Sequence, residues 1–320
     1  MDNDVEIIRH KLTEILTADK QLSHIFPLTG DLKHAKFSRA RFLMKNARDN
    51  NIDSEQALDA ALGIEIVHLA SLIHDDVIDE AEMRRHQENL KAAKGDKSAV
   101  LYGDYLFSTA VKQIQTTQNA DCAQLFVQSI NDMCRGEAVQ DLLLTDPDYS
   151  PTLEDVQSVA RGKTGALFSF CAAAPAWIIT GQKAELKQAL KEIGFLLGLA
   201  YQIVDDILDI TGVEKNLGKP AGNDLQKNCL TTPLFMMMQD SGLNWSAFRH
   251  YYLESEHSLK EDFLQSNTLT IAQQQLAKIK QDLADNVAIC QQNQWQIEAL
   301  VSIFWQRYVE QRMSLLRDFN

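Results

Sequence analysis

Apolar residues recur at helical spacing along most of the chain. Leu62, Ile66 and Leu69 lie three or four residues apart, and the same period runs through segments 99–114 and 190–210. Residues with this spacing share one face of an α-helix, whereas the alternation that is typical of strands is scarce. The pattern therefore predicts an all-α fold built from long helices.

Short polar segments interrupt this period and predict loops, because they are rich in Gly, Pro, Asn, Asp, Ser and Thr. They are segments 116–121, 145–152, 181–184, 212–223 and 239–245. Thr152 followed by Asp155 has the spacing of a capping box, and Ser54 also predicts a helix start. The composition does not shift along the chain, so we predict a single domain over residues 1–320.

The composition narrows the class of protein. The 320 residues include only 14 Gly and 6 Pro, and the formal net charge is −13. Few helix breakers favour long helices, and an acidic chain lacks the basic surface that nucleic-acid binding requires. The five cysteines form no CxxC pair, which is typical of a reducing compartment, and the acidic N-terminus does not resemble a secretory signal. We therefore predict a cytoplasmic protein with no nucleic-acid partner and at most peripheral membrane contact.

One acidic motif occurs twice. DDVID at 75–79 returns as DDILD at 205–209, 130 residues later, and each copy ends a strongly apolar segment. Positions i and i+4 lie on one face of a helix, so the first and last aspartates of each copy project together. The carboxylates concerned are Asp75, Asp76, Asp79, Asp205, Asp206 and Asp209.

Carboxylates crowded at the end of a core-facing helix repel one another and are costly to desolvate without a partner. Mg²⁺ resolves this conflict, because it takes oxygen ligands and keeps coordination positions for phosphate. Two such clusters that face each other would hold several Mg²⁺ ions with a bridging diphosphate. We expect Asp75, Asp79 and Asp205 to be metal ligands. A single motif would fit a solvated helix end equally well, and the matched pair disfavours that interpretation.

The sequences around both motifs resemble one known family. LIHDDVIDEAEMRR, AVLYGDYLF, YQIVDDILD and GKPAGNDL are similar to segments of the trans-isoprenyl diphosphate synthases, and the similarity runs from about Lys36 to Pro233. The resemblance implies a helical bundle of the isoprenoid synthase type, with the two Asp-rich motifs on facing helices around a central cavity. It also implies about three Mg²⁺ ions per site, held together with substrate diphosphate.

The reaction of that family accounts for the residue types. An allylic diphosphate ionises to a carbocation and diphosphate, the double bond of isopentenyl diphosphate attacks the cation, and a proton is lost. Ionisation requires positive charge around the leaving diphosphate and no side-chain nucleophile. The residues implied in catalysis are Asp75, Asp76, Asp79, Lys163, Asp205 and Asp206.

The resemblance also implies which residues bind the substrates. Arg84 would hold the allylic diphosphate, and Arg85 the isopentenyl diphosphate, for which His68 is also expected. Lys36 and Arg39, in AKFSRARF, match a basic substrate-binding segment of the family.

Four residues of the second half complete this set. Lys163 and Thr164, in RGKTGALF, would reach the allylic diphosphate. Gln202 would contact the diphosphate or a metal-bound water, and Lys219 would complete the cationic clamp when its loop closes.

The chain departs from the family pattern at several positions. Cys229 stands where the family commonly has a lysine, and Lys227 lies two residues earlier. Either Lys227 compensates or the site works with one cation fewer. His86 replaces a usual Gly, and Ala35 and Ala40 replace the Gly and Pro of the upstream basic segment.

Small residues precede the first acidic motif. Ser71 and Ala70 stand four and five residues before Asp75, where a Phe or Tyr would block a growing chain. One helical turn rises about 5.4 Å, comparable to an isoprene unit. The sequence therefore predicts a long linear polyprenyl product, hexaprenyl or longer, of the kind used for quinone side chains such as that of menaquinone. The alternative is that the small residues only permit close helix packing.

Other interpretations remain open. The product could be shorter, as in farnesyl or geranylgeranyl diphosphate synthases, or the chain could be a non-catalytic regulatory subunit. The chain could also be a terpene cyclase, a class of enzyme that would have one such Asp-rich motif but would not normally have DDILD as the second. The pairs Glu65/His68 and Glu254/His257 have the spacing of a di-iron bundle, which leaves the aspartates unexplained. The resemblance implies a homodimer or a heteromer with a small regulatory subunit.

Overall fold

A computed structural model describes residues 2–25, 32, 35–84, 87–145, 150–212, 222–254 and 257–316. Most of these residues are helical, which confirms the predicted all-α class. The helices also end in the predicted polar segments. One helix ends at Gln115 and the next begins at Ala120, for example, and Thr152 forms the predicted capping box with Asp155.

The chain divides into two compact units. Unit 1 comprises Met1–Ile130, Phe170–Gln188 and Trp295–Ile297. Unit 2 comprises Asn131–Ser169, Ala189–Gln294 and Glu298–Asn320. The single domain over residues 1–320 stays a prediction.

Unit 1 is built mainly from the helices of the first 130 residues. They are α1 (Asp2–Thr17), α2 (Lys20–Ile25), α3 (Ser38–Asp49), α4 (Ser54–Ile78), α5 (Leu90–Lys94), α6 (Asp96–Gln115) and the first part of α7 (Ala120–Thr145). Two short strands, β1 (Met83–Arg84) and β2 (Gln87–Glu88), form an antiparallel hairpin that the sequence pattern does not predict.

The central helix of unit 1 is α4, which packs most extensively against α6. Asp53 caps it by accepting hydrogen bonds from two backbone N–H groups of the first turn. Its apolar residues Leu62 and Ile66 are buried, as their spacing predicts, and Leu69 is half-buried. Within the described ranges, α4 is also the one helix long and apolar enough to cross a membrane, but 61% of that apolar window is buried, as in a core helix.

Unit 2 contains most of the later helices. They are the end of α7, α8 (Leu153–Ala160), a π-helical turn (Arg161–Gly165), the start of α9 (Ala166–Ile178), most of α10 (Ala184–Thr211), α11 (Asn223–Gln226), α12 (Thr232–Ser241), α13 (Trp245–Glu254), α14 (Leu259–Gln265), α15 (Thr268–Gln292), α16 (Glu298–Trp305), a second π-helical turn (Gln306–Glu310) and α17 (Gln311–Ser314).

Glycines bring the first π-helical turn into close contact with its neighbours in unit 2. A Cβ atom on Gly198 would lie 2.5 Å from the Cα of Gly165, and one on Gly136 would lie 2.6 Å from the backbone nitrogen of Lys163. Backbones can approach this closely only where there is no side chain. Glycine therefore lets the turn place Lys163 and Thr164 beside α7 and α10.

Candidate active site

The first acidic motif lies at the C-terminal end of α4, in unit 1. Asp75 and Asp76 belong to its last turn, and Asp79 is the residue that follows the helix. The backbone N–H of Asp79 donates to the carbonyl of Asp75 at 2.8 Å, which holds the end of the motif in a helical turn. Asp76 is buried, Asp75 is half-buried and Asp79 is exposed.

Arg84 neutralises the buried carboxylate of this motif. Its Nη2 donates to Oδ1 of Asp76 at 2.8 Å, and its Nε lies 3.1 Å from both carboxylate oxygens. The same Nη2 donates to the carbonyl of Leu72 at 3.1 Å. The guanidinium predicted to hold allylic diphosphate is thus bound by the protein's own carboxylate, which a diphosphate would have to share or replace.

The other substrate-binding candidates of unit 1 lie on α4 and at the start of α3. His68 is half-buried on α4, Lys36 is exposed two residues before α3, and Arg39 is half-buried in the first turn of α3. Arg85 and Lys219, which the resemblance places with them around the diphosphates, lie outside the described residues.

The two residues predicted to set product length lie one turn before the first motif. Ala70 is fully buried in unit 1. Ser71 is half-buried, and its hydroxyl donates to the carbonyl of His68 at 2.9 Å. Both are small, as the predicted path of a growing chain along α4 requires.

The second acidic motif lies near the end of α10, in unit 2. The carboxylate of Asp206 is buried and accepts a hydrogen bond from Nε2 of Gln202 at 2.7 Å. Oε1 of Gln202 in turn accepts from the hydroxyl of Thr164 at 2.7 Å. Three residues singled out in the sequence therefore form one hydrogen-bonded chain, which links the π-helical turn to the motif.

Burial raises the pKa of Asp206 well above its ordinary value. The negative charges of Asp224, Asp205 and Asp209 raise it further, and the hydrogen bond from Gln202 opposes this effect. Several carboxylates thus repel one another in one region of unit 2. A bound cation would relieve that repulsion.

Asp224 is a member of this acidic region that the sequence analysis did not single out. It lies in α11, and its backbone N–H donates to Oδ2 of Asp209 at 3.1 Å. The backbone N–H of Gly222 also donates to the carbonyl of Asp209, at 2.9 Å. The segment GKPAGNDL contains this aspartate, so the resemblance carried a signal for it.

Arg312 is a second residue that sequence reasoning missed. It lies on α17 near the end of the chain, and its Nη2 donates to Oδ1 of Asp205. Its guanidinium also lies 5.0 Å from the ring centroid of Tyr201, one turn before Asp205. No motif surrounds Arg312, so only the folded structure reveals this pairing.

A cavity of about 90 Å³ lies within unit 2 beside the buried carboxylate. Lys163, Asp206, Asp224 and Cys229 are among its polar lining residues. The ammonium of Lys163 lies 2.8 Å from a carboxylate oxygen of Glu137. Cys229, which stands where the family commonly has a lysine, lines the cavity with a thiol. Lys163 supplies positive charge to the same cavity.

The donor set fits Mg²⁺ that is shared with a substrate. Among the residues that the structure describes, no group of three or more His, Cys, Asp or Glu side chains is arranged to hold a metal ion by itself. Mg²⁺ in proteins is typically bound by one or two carboxylates, with substrate phosphates and waters as its remaining ligands. Each motif combines one buried aspartate with more accessible ones, and this arrangement suits that mode of binding.

Known proteins are similar to this chain in both sequence and fold. A chloroplastic solanesyl-diphosphate synthase of Oryza sativa subsp. japonica is 37% identical over 222 residues, which cover 69% of this chain and 54% of that protein. Heptaprenyl diphosphate synthase component 2 of Geobacillus stearothermophilus is 34% identical over 202 residues, covering 63% of this chain and 62% of that protein. The matches thus span less than two thirds of the length of these relatives.

A decaprenyl diphosphate synthase from Rhodobacter capsulatus has the same fold, with a TM-score of 0.80, 24% identity, and coverage of 96% of this chain and 97% of that chain. This likeness confirms the isoprenoid synthase type of helical architecture. Residues 32–265 match the sequence profile of the Polyprenyl synthetase family, which is most of the chain. The chain therefore belongs to the polyprenyl synthetase family.

Proposed function

We propose that the protein is a Mg²⁺-dependent prenyltransferase that condenses isopentenyl diphosphate with an allylic diphosphate to a long linear trans-polyprenyl diphosphate. The observation that carries this proposal is the pair of acidic motifs, each at the end of an apolar helix and each with one buried aspartate. The names of the relatives, solanesyl and heptaprenyl synthases, support a long product.

In this proposal Asp75, Asp79 and Asp205 hold the metal, in about three ions per site that are shared with substrate diphosphate. The bound ions would neutralise the negative charge that develops on the leaving diphosphate. Lys163 contributes a further positive charge at the cavity wall, where a diphosphate oxygen would compete with Glu137 for its ammonium. Thr164 and Gln202 keep the Asp206 carboxylate in place through their hydrogen bonds.

The acceptor substrate requires its own set of cations. We assign isopentenyl diphosphate to His68 and Arg85, and the allylic diphosphate to Arg84, Lys163 and Lys219. Arg84 would release or share Asp76 when a diphosphate binds, because a guanidinium can donate to two oxyanions at once.

Two alternative assemblies of this chain are proposed. The relative from Geobacillus stearothermophilus is named as one component of its synthase. We therefore propose that this chain acts in the cytoplasm either as a homodimer or as the catalytic subunit of a heteromer with a small regulatory subunit. The product would belong to quinone biosynthesis.

Synthesis by the purified chain tests the proposal directly. The chain is incubated with labelled isopentenyl diphosphate, farnesyl diphosphate and Mg²⁺, and the dephosphorylated products are sized. A ladder that ends in one product of six or more isoprene units supports the proposal, and EDTA should abolish it. Products no longer than geranylgeranyl would refute the chain length. No product, even with a small regulatory subunit added, would refute the activity.

A further inference from the structure

Glu65 is a buried carboxylate that the proposed reaction does not use. It lies in the middle of α4 and is only 8% exposed. Its Oε1 accepts a hydrogen bond from the backbone N–H of Ala40 at 2.9 Å. A buried carboxylate is costly to retain unless its hydrogen-bond partners compensate, so this contact defines what the residue does.

The contact caps a helix that lacks a cap of its own. α3 begins at Ser38, and the preceding Phe37 has a left-handed backbone with φ of 46° and provides no side-chain cap. Ala40 is the third residue of α3, and N–H groups at that position have no partner within their own helix. Glu65 therefore fills from another helix the role that a local Asp or Ser usually has, with its negative charge at the positive end of α3.

The same carboxylate interacts with a predicted substrate-binding residue. Burial raises the pKa of Glu65, while the N–H of Ala40 and the guanidinium of Arg39 lower it. Arg39 is the second residue of α3, and Lys36 lies two residues before the helix. Both cations thus lie within residues 36–40, the short turn that Glu65 holds against α4.

We propose that Glu65 is a positioning residue, which fixes the turn at residues 36–40 so that Lys36 and Arg39 bind the diphosphate of isopentenyl diphosphate. This inference rests on the proposed function. His68, expected to bind the same substrate, follows Glu65 by three residues and so lies on the same side of α4. That placement assigns the turn to isopentenyl diphosphate rather than to the allylic substrate.

Three variants test the inference. Glu65→Ala removes the hydrogen bond and the charge, whereas Glu65→Gln keeps an acceptor without the charge. Asp53→Ala is the matched control, because it removes a helix cap from α4 in the same unit without touching the turn. The measurements are KM for each substrate, kcat, melting temperature, and binding of isopentenyl diphosphate by calorimetry without turnover.

We expect Glu65→Ala to raise KM for isopentenyl diphosphate about tenfold, from the loss of one hydrogen bond to a charged group. Glu65→Gln should raise it about threefold, which corresponds to losing a charge at a helix terminus. KM for the allylic substrate should stay unchanged in both. Asp53→Ala should lower the melting temperature and leave both KM values unchanged.

An unchanged KM for isopentenyl diphosphate in a folded Glu65→Ala protein would overturn the inference. Equal rises in both KM values would do the same, since they would indicate a general structural role. If the unmodified chain synthesises no product even with a small regulatory subunit added, the proposed function fails instead. Calorimetry separates the two failures, because tighter binding of isopentenyl diphosphate by the unmodified chain than by Glu65→Ala supports the positioning role without any turnover.

Discussion

The two acidic motifs have nearly the same sequence, but their buried carboxylates are compensated in different ways. In unit 1, Asp76 is held by the guanidinium of Arg84 at 2.8 Å. In unit 2, Asp206 accepts from the neutral amide of Gln202 at 2.7 Å, and burial together with the surrounding carboxylates raises its pKa. The arginine of the second motif pairs instead with Asp205, whose side chain is 44% exposed.

This difference indicates how strongly each motif depends on a bound cation. The buried carboxylate of the first motif is neutralised by the protein itself. In the second motif, other carboxylates repel a buried carboxylate beside a cavity, and desolvated like charges are the more costly arrangement. We therefore expect Mg²⁺ to stabilise unit 2 more than unit 1.

The largest expected effect tests whether both motifs serve the same reaction. Asp75→Ala and Asp205→Ala should each reduce kcat about 10²–10³-fold, because each removes charge stabilisation of the transition state. Turnover at saturating Mg²⁺ measures this, with circular dichroism to show that both variants fold. Near-normal turnover in either variant would remove that motif from the metal site and end the equivalence of the two.

The next expected effect is on the free energy of unfolding, and it compares Arg84 with Arg312. In metal-free buffer, Arg84→Met should lower the free energy of unfolding by about 3 kcal/mol, because it leaves the buried Asp76 without its partner. Arg312→Met should cost only about 1 kcal/mol, since water can hydrate the half-exposed Asp205.

Urea denaturation in EDTA measures both arginine variants. Lys280→Met is the control, because it breaks an exposed ion pair with Glu310 at 2.8 Å and should change stability by less than about 0.5 kcal/mol. If Arg312→Met proves as destabilising as Arg84→Met, the two motifs are compensated alike and the comparison fails.

Neutralising the two buried aspartates should change the free energy of unfolding by smaller amounts, with opposite signs in the two motifs. Asp206→Asn should raise the free energy of unfolding of the metal-free protein by about 1 kcal/mol, because it removes like-charge repulsion at a buried site. Asp76→Asn should lower it, since Arg84 loses its ionic partner. The matched pair differs only in which motif loses its charge.

The pH dependence of stability sharpens this contrast. A carboxyl whose pKa is raised on folding contributes stability below its ordinary pKa, and that contribution is lost as the pH rises through the higher pKa of the folded state. Metal-free protein should therefore lose stability on this account as the pH rises from acid towards neutral. The gain from Asp206→Asn should vanish in acid, and a gain that persists there would exclude charge as its cause.

The sequence predicts the motifs well because the signals are local. The apolar spacing predicts that α4 and α10 end close to the aspartates. Thr152 and Asp155 together mark the start of α8 within four residues. The arginine partners of the carboxylates have no such local signal, whereas Gln202 lies one turn from Asp206. Arg84 reaches Asp76 through a two-residue strand without an alternating pattern, and Arg312 lies 107 residues from Asp205.

Glu65 is a residue whose role cannot be predicted from local sequence spacing. Its spacing from His68 permits a di-iron site, but its carboxylate is occupied by the N–H of Ala40 in the folded chain. A buried carboxylate can serve a metal, a counter-ion or a helix end, and its spacing within one helix is the same in each case. Only the tertiary contact distinguishes these roles.

The last expected effect is on product length, and it concerns the helical turn before each motif. Ala70 and Ser71 precede the first motif, whereas Ala200 and Tyr201 precede the second, where the ring of Tyr201 contacts Arg312. If the product grows along α4, a large side chain matters only before the first motif. Ser71→Phe should shorten the product by one or more isoprene units, because one turn rises about 5.4 Å.

Tyr201→Ala is the matched change before the second motif and should leave the product length unaltered. Ala70→Phe should act as Ser71→Phe does, with a stability loss of about 1–3 kcal/mol because Ala70 is fully buried. Sizing of the dephosphorylated products measures all three variants. An unchanged product from Ser71→Phe would show that small residues here serve helix packing alone, and a longer product from Tyr201→Ala would place the growing chain along α10 instead.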